Sequence, residues 1–476
     1  MFFFNSKKIK YNFIIIIIIA LGFLLRVYGF NTNGYWADEW YTIFFSNPEK
    51  TFAEFKFNLK QAPGLPHYEN TPWLFYIILK IIFLIFGYSA EIGRIFILIF
   101  AVGSIYLCLK LIRFYTKDRQ LIIFFLILIC LNPFLVLNSQ ETRVQSVVLF
   151  FGLWNLIQFL KLISQINLKN TITFAASMVL VMSFSPITST LLASYLIYIL
   201  MIFNKKKIIH FLIIFLFTFL IYIFFNYEYL TNVFLNKQFQ GINLKFFISF
   251  FFSTFFGNYF FGGIALIFLF IASIINYKRI FIDKKIFLIY TIIITTYFLL
   301  ILKSFSSNLL VPRYIIFIVP LILIIIIKNI ENTFFFKKKL LKSFFINLFI
   351  FFSIIIIFNS LNDAPIKKPP TNDLIAKISK SKVVAVSSEN FLFGNYFRTH
   401  YLFKKNNLKY IKYDELNDNI ESIWLICANN MRSVVPHENL QDYRYVKCSA
   451  QKLESKMNVV ETINIPDLQA RLYVKK

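Results

Sequence analysis

Tyr35-Trp36-Ala37-Asp38-Glu39-Trp40-Tyr41-Thr42 follows directly on an apolar run, residues 11–30, that is long enough to span a bilayer. Two adjacent carboxylates, fenced by two tryptophans and two tyrosines, therefore sit where a chain leaves the membrane. Aromatic rings favour that depth because the ring is apolar while its N–H or O–H end stays wet. Carboxylates there are costly unless they meet a cation, a metal or a proton donor. Two readings are open at this point: an interfacial aromatic belt with two solvated acids, or a site. Residues further along the chain decide between them.

The composition is that of an integral membrane protein. Of 476 residues 58% are hydrophobic and 15% charged, with a mean hydropathy of +0.66, against about 25% charged residues in soluble domains. The 63 Phe arrive together with abundant Ile, Lys, Asn and Tyr, so aromatic richness by itself carries no signal. The net charge is +27, but Lys and Arg cluster in short loops between apolar runs. That is the positive-inside pattern rather than a nucleic-acid surface. Cys108 and Cys130 lie inside apolar runs and Cys427 and Cys448 near the end, so the cysteines make no metal framework.

Lys7, Lys8 and Lys10 place the N-terminus in the cytoplasm, and residues 31–71 then form an outer, periplasmic loop holding Asp38 and Glu39. The first run lacks a small-residue cleavage site and reads as an uncleaved span. Residues 72–90 decide the parity of everything that follows. If they span, the basic loops at 113–119, 205–207, 278–285 and 337–342 all face outward; if they do not, all four fall inside. Lys80 sits near the middle of this run, where a charge costs about 2.5–3.5 kcal/mol. Residues 72–90 are therefore expected to be juxtamembrane or re-entrant. The further spans are expected at 93–112, 121–138, 144–162, 171–189, 190–204, 208–225, 256–276, 286–303, 313–328 and 340–358, about eleven in all. Ser185-Pro186 makes 171–204 a kinked helix or a tight hairpin. Residues 226–245 read as an outer loop, followed by an interfacial apolar run.

The fold class expected is thus an α-helical polytopic membrane protein, residues 1–358, then a linker, 359–370, and a small α/β periplasmic domain, 371–476. In that last part 382–386 and 422–427 read as buried strands and 373–380 as a short helix. Cys427 and Cys448 can pair in an oxidising compartment.

With topology set by the basic loops alone, several charged residues fall at one membrane depth. They are Asp38 and Glu39, Glu91 and Arg94, Gln140-Glu141-Thr142-Arg143, Lys303, Arg313-Tyr314 and Arg26. Singly, Arg26 or Lys303 reads as a snorkelling charge. Acids and arginines gathered on one face read as a site. Arginine binds phosphate oxygens bidentately, so such a face suits a phosphate whose lipid tail stays in the bilayer. A nearby carboxylate can take a proton from an attacking hydroxyl, or hold a metal or the acceptor. Together these fit sugar transfer from a polyprenyl-phosphate carrier to a lipid, glycan or protein acceptor. No GxGxxG or P-loop pattern supports a nucleotide donor. His67 is a lone loop histidine.

These motifs, taken in order, also resemble a family. The order is Arg-x-Tyr-Gly, Trp-x-Asp-Glu, Thr-Pro-Trp-Leu-Phe-Tyr, Phe-Gly-x-Ser-x-Glu-x-x-Arg, Asn-Pro-Phe, Asn-Ser-Gln-Glu-x-Arg and Pro-Arg-Tyr, over about the first 330 residues. It is similar to the GT-C membrane glycosyltransferases, in the branch of the dolichyl-phosphate-mannose–protein mannosyltransferases and their bacterial aminoarabinose and lipopolysaccharide-sugar relatives. The resemblance implies an inverting enzyme of the bacterial inner membrane using polyprenyl-phosphate sugars. It implies that Asp38 is the essential first-loop acid with Glu39 beside it. Arg94, Arg143, Lys303, Arg313 and Tyr314 are the candidates for the lipid-phosphate side, with Glu91, Gln140 and Glu141 supporting. Asp38→Asn is then expected to lower turnover more than Glu39→Gln does. Where the family has His-Pro-Pro or a close variant this chain has Asn70-Thr71-Pro72, so that histidine's role, a metal contact included, has no counterpart here. No cofactor is assigned; a divalent metal is possible.

Two other classes compete. A transporter or lipid flippase tends to show internal repeats and midplane charges, and neither is visible. A surface-polysaccharide polymerase or ligase would carry a large outer loop late in the chain rather than acids in the first loop.

Overall fold

The computed structural model describes residues 6–28, 30, 37–60, 71–235, 259–304, 312–333, 339–367, 371–388, 406–416, 419–428, 451–465 and 468–476. His67, Asn70, Tyr35 and Trp36 lie outside them.

The chain is a helical membrane protein. Three short helices follow α1 (Ser6–Val27): α2 (Ala37–Phe45), α3 (Phe52–Lys60) and α4 (Trp73–Phe86). The bundle continues with α5 (Ala90–Ile112), α6 (Arg119–Leu131), α7 (Pro133–Ser139), α8 (Gln145–Ser164), α9 (Leu168–Phe184), α10 (Ser189–Ile202) and α11 (Lys205–Leu235). It closes with α12 (Tyr259–Ile275), α13 (Tyr277–Ile282), α14 (Lys284–Ser304), α15 (Ile318–Asn332) and α16 (Lys339–Lys367). Each expected span thus contains a helix. Among the described residues, five (α5, α8, α11, α14 and α16) are long and apolar enough to cross a bilayer, and the bent pair α6–α7 makes six. Shorter apolar helices lie in α1, α4, α9, α10 and α12.

Three of the four basic loops meet at one end of this bundle. Asp118 caps α6 by accepting from Gln120 N at 2.9 Å, and takes Lys342 Nζ from the first turn of α16 at 2.6 Å. Burial alone would raise its carboxyl, but Lys342 and the Leu121 and Gln120 N–H groups hold it below the usual range. Lys285 Nζ reaches Phe114 O at 3.2 Å and Arg279 Nη1 reaches Asn332 O at 2.6 Å. α5 ends at this basic face and begins some 23 residues earlier, about 35 Å away. The opposite face carries α2, α3 and α4.

α4 packs against the segment that carries α2 and α3. Its 14 residues extend only about 21 Å, short of the ~30 Å apolar core. Lys80, in the middle of α4, donates to Lys50 O, and Tyr88, just past its end, donates to Ile43 O at 3.2 Å. Both ends of that reach are the α2–α3 segment.

Two boundaries move. The expected linker at 359–370 is the continuation of α16, helical through Lys367. The outer loop expected from 226 is helical as far as Leu235, and the remainder of it, with the apolar run after it, lies outside the described residues. At Ser185-Pro186 the chain breaks as expected: Ser185 is extended, and Pro186–Thr188 forms one 3-10 turn before α10.

Beyond α16, helix α17 (Thr371–Ile378) precedes strands β1 (Ala385–Ser387), β2 (Lys409–Tyr410) and β3 (Ser422–Ala428), short helix α18 (Gln451–Glu454), and strands β4 (Met457–Ile465) and β5 (Leu468–Lys475). They form one mixed sheet in the order β2-β1-β3-β5-β4, parallel on the β1 side and antiparallel around β5. Trp424 of central β3 is fully buried, its Nε1 donating to Ser381 Oγ at 2.8 Å. Cys427 is disulfide-bonded; Cys448 lies outside the described residues.

Candidate active site

Asp38 and Glu39 fall in the first turn of α2, where a helix's N-terminal N–H groups favour negative charge. Successive helical residues are turned by about 100°, so the two acids face apart. Trp40 and Tyr41 are buried in the hydrophobic core, which removes them from any belt at the lipid headgroups.

Glu39 points inward. Its side chain and that of Arg94 are both 0% exposed. Arg94 Nε donates to Glu39 Oε1 and Nη2 to Oε2, each at 3.2 Å, a two-pronged pair. Arg94 Nη1 also donates to Phe30 O, and Thr142 N donates to Glu39 Oε1 at 2.9 Å. One buried pair thereby ties together the end of the first span, α2, α5 and the loop after α7. Close approach is required for this: a Cβ added at Gly93 would lie 2.6 Å from Thr142 Cγ2.

This corrects two expectations. Glu39 was a candidate catalytic acid, but it lies wholly inside and spends both oxygens on its partners. Arg94 was a candidate for the lipid phosphate, but its guanidinium is sealed against a carboxylate and a backbone carbonyl, with no surface for a lipid headgroup.

Asp38 points outward, with its side chain 31% exposed. Arg313 Nη2 approaches Asp38 Oδ2 at 3.1 Å and Arg143 Nη2 approaches the same oxygen at 3.5 Å. Arg143 is positioned from its other nitrogen: Nη1 donates to Thr42 Oγ1 at 3.0 Å and to Asp38 O at 3.2 Å. Thr42 Oγ1 in turn donates to Asp38 O at 2.8 Å. The Nε atoms of both arginines take no part in these contacts. The Arg313 guanidinium lies 5.8 Å from the Tyr314 ring.

The loop carrying Arg143 is aimed by a break. Asn132, with ψ 114°, ends α6 and caps α7 by accepting from Leu135 N; Pro133 occupies the first position of α7. The two helices meet at 52°. Gln140, at the end of α7, donates through Nε2 to Tyr28 O at 2.7 Å and to Leu25 O at 3.3 Å. Arg26 is buried beside this joint, donating to Gly22 O at 2.9 Å and to Ile129 O at 3.4 Å near the end of α6. It is an interior arginine, not the snorkelling one its place in the sequence suggested.

The other expected residues are placed as follows. Glu141 is buried, its carbonyl accepting from Arg143 N at 2.7 Å. Glu91 is half-buried in the first turn of α5, and Lys303 is exposed on the last turn of α14; neither belongs to the Glu39–Arg94 or Asp38–arginine pairs. Sequence reasoning missed Thr42 and Thr142. Thr42, four residues after Asp38 on a helix, lies on the same face, and that spacing was a usable signal. Thr142 acts through its backbone N–H, which leaves no mark in side-chain chemistry. Among the described residues no group of three or more His, Cys, Asp or Glu side chains converges as a metal site would need. Both acids of the motif are engaged by arginines.

The architecture is that of a polytopic helical membrane protein with a small C-terminal sheet. Two crystal structures of ArnT from Cupriavidus metallidurans are similar over nearly the whole chain. The one bound to undecaprenyl phosphate matches with a TM-score of 0.56 at 10% identity, over 96% of this chain and 97% of that one. The one in the apo state matches with a TM-score of 0.58 at 11% identity, over the same shares. At that identity the likeness is one of fold. No protein-family model matches the sequence, and no curated protein sequence matches it.

Proposed function

We propose that this chain is a membrane glycosyltransferase that moves a sugar from a polyprenyl-phosphate donor to a lipid, glycan or protein acceptor of the cell envelope, on the periplasmic side of a bacterial inner membrane. The observation that carries the reading is the half-exposed Asp38 carboxylate between Arg143 and Arg313. It lies on a fold shared with a protein crystallised with undecaprenyl phosphate. Arg143 and Arg313 bind the donor phosphate. The acceptor hydroxyl or amine attacks the anomeric carbon, and its proton passes to Asp38. The sugar–oxygen bond to phosphate breaks, with the electron pair leaving on that oxygen. The two guanidiniums meet the charge that develops there, which is where fixed positive groups accelerate a reaction most. Attack opposite the leaving phosphate inverts the anomeric centre.

Arg143→Ala should weaken use of the lipid donor at least tenfold, the effect of losing one charge-assisted contact of about 1.5–3 kcal/mol. Arg143→Lys should restore only part of it, since one ammonium cannot hold Asp38 O, Thr42 and a phosphate oxygen as a planar fork does. Donor saturation curves for transfer in membranes check this; an unchanged curve for Arg143→Ala would remove the phosphate role.

Orientation has its own test. Cysteine accessibility should place Lys206 and Lys284 in the cytoplasm and Lys409 in the periplasm. A cytoplasmic Lys409 would put Asp38 on the wrong side for a periplasmic acceptor.

A further inference from the structure

The two acids of the motif are held in opposite ways. Glu39 gives both oxygens to a fully buried guanidinium and one also to a backbone N–H. Asp38 gives a single oxygen to two guanidiniums, at 3.1 and 3.5 Å, at a place open to solvent. Its other oxygen, Oδ1, meets no donor among the described residues. Arg143, moreover, does not need that carboxylate to keep its place. Its Nη1 is anchored on Thr42 Oγ1 and the Asp38 backbone carbonyl, so Nη2 stays aimed at the same point when the carboxylate leaves. The first acid is a fixture; the second is a tenant.

We propose that Asp38 is the resident anion of the donor's phosphate subsite: Oδ2 occupies the point between Arg143 and Arg313 that a phosphate oxygen of the polyprenyl-phosphate donor takes over, and donor binding thereby releases the Asp38 carboxylate to the acceptor. This rests on the glycosyltransferase reading above and adds an order of events to it. The exchange breaks two ion contacts and makes two, with no covalent change. The donor's phosphodiester carries one negative charge, as a carboxylate does, but its two non-bridging oxygens can each meet a guanidinium where Asp38 offers both the same oxygen, so it is the better-matched ligand for the paired guanidiniums. Before the donor arrives, the two arginines hold Oδ2, and with it the whole carboxylate, at the phosphate point rather than at an acceptor. Once the donor is seated, the base is free beside the sugar it serves. Activation of the acceptor is thus conditional on a loaded donor site, which limits idle chemistry at an open face.

The exchange makes a prediction opposite to that of a simple ligand role. If Asp38 competes with the phosphate, removing its charge should tighten lipid binding while it abolishes transfer. The experiment is titration of the purified full-length protein in nanodiscs with undecaprenyl phosphate, read by native mass spectrometry. Asp38→Asn should bind about three- to tenfold more tightly than the unsubstituted protein, a range kept modest because the pair is partly solvated. Asp38→Ala should do the same, and serves if the amide disturbs the start of α2; melting temperature reports folding for both. Arg143→Ala should bind more weakly. Equal or weaker binding by folded Asp38→Asn and Asp38→Ala would overturn the exchange and leave the glycosyltransferase reading standing. No binding by the unsubstituted protein would overturn both.

Discussion

Asp38→Asn should lower sugar transfer by about a hundredfold or more, with protein abundance close to that of the unsubstituted chain. The amide keeps the shape of the side chain and its place in the first turn of α2, so the packing of Trp40 and Tyr41 behind it is untouched. What is lost is the charge. Part of the loss falls on the helix start, where a carboxylate contributes about 0.3–1 kcal/mol. A similar part falls on the ion pair with Arg143 and Arg313, which is half-exposed and so is worth at most about 1 kcal/mol. Neither is enough to unfold a bundle of this size. The proton acceptor for the attacking group, by contrast, cannot be replaced by the neighbouring acid, because Glu39 is turned inward. Transfer measured in membranes, normalised to protein amount, decides the matter. Equal activity in the two proteins would reduce Asp38 to a helix-start acid.

Much of this arrangement was readable in the chain, for a physical reason. Charges are so expensive in a bilayer that the basic loops are expected on one side, and the structure brings three of those loops together at the end opposite Asp38. The same expense marked Asp38, Arg143 and Arg313 as residues needing partners, and they are one another's. What a sequence cannot display is rotation about a helix axis. Asp38 and Glu39 are equivalent on paper, yet one residue's turn separates solvent from the core. Arg94 and Arg26 both looked like boundary arginines because position along a span gives depth but not facing. The α16 helix runs on through the polar residues after 358 because such residues stop a membrane span without stopping a helix. The β4–β5 hairpin had a signal in the alternating runs around Pro466-Asp467, one fainter than the two buried strands.

The facing of Glu39 reverses the expectation that Glu39→Gln is the milder change, at least for the protein's survival. In Glu39→Gln the Arg94 guanidinium stays at 0% exposure with no carboxylate to neutralise it. Breaking a buried pair on one side costs about 3–5 kcal/mol, since the remaining charge stays in the interior without its countercharge. Arg94→Ala should be at least as severe: it strips Phe30 O of a donor, leaves Glu39 buried and charged, and opens a cavity between α2 and α5. Total stabilities of about 5–15 kcal/mol leave little margin for such a loss, so both single variants should fall severalfold in abundance and melt earlier. Asp38→Asn should do neither. The double change Glu39→Gln with Arg94→Ala leaves no stranded charge on either side, so it should be less damaging than the two single losses added together. A coupling of about 2 kcal/mol or more in thermal or denaturant unfolding is the expected reading. Additive losses would mean that the two side chains contribute separately and that the first span, α2, α5 and the Thr142 loop are held together by something else. If coupling is found, the motif's two acids divide their labour by orientation alone: Glu39 fixes the loop from within, and Asp38 is thereby left facing the arginines at the surface.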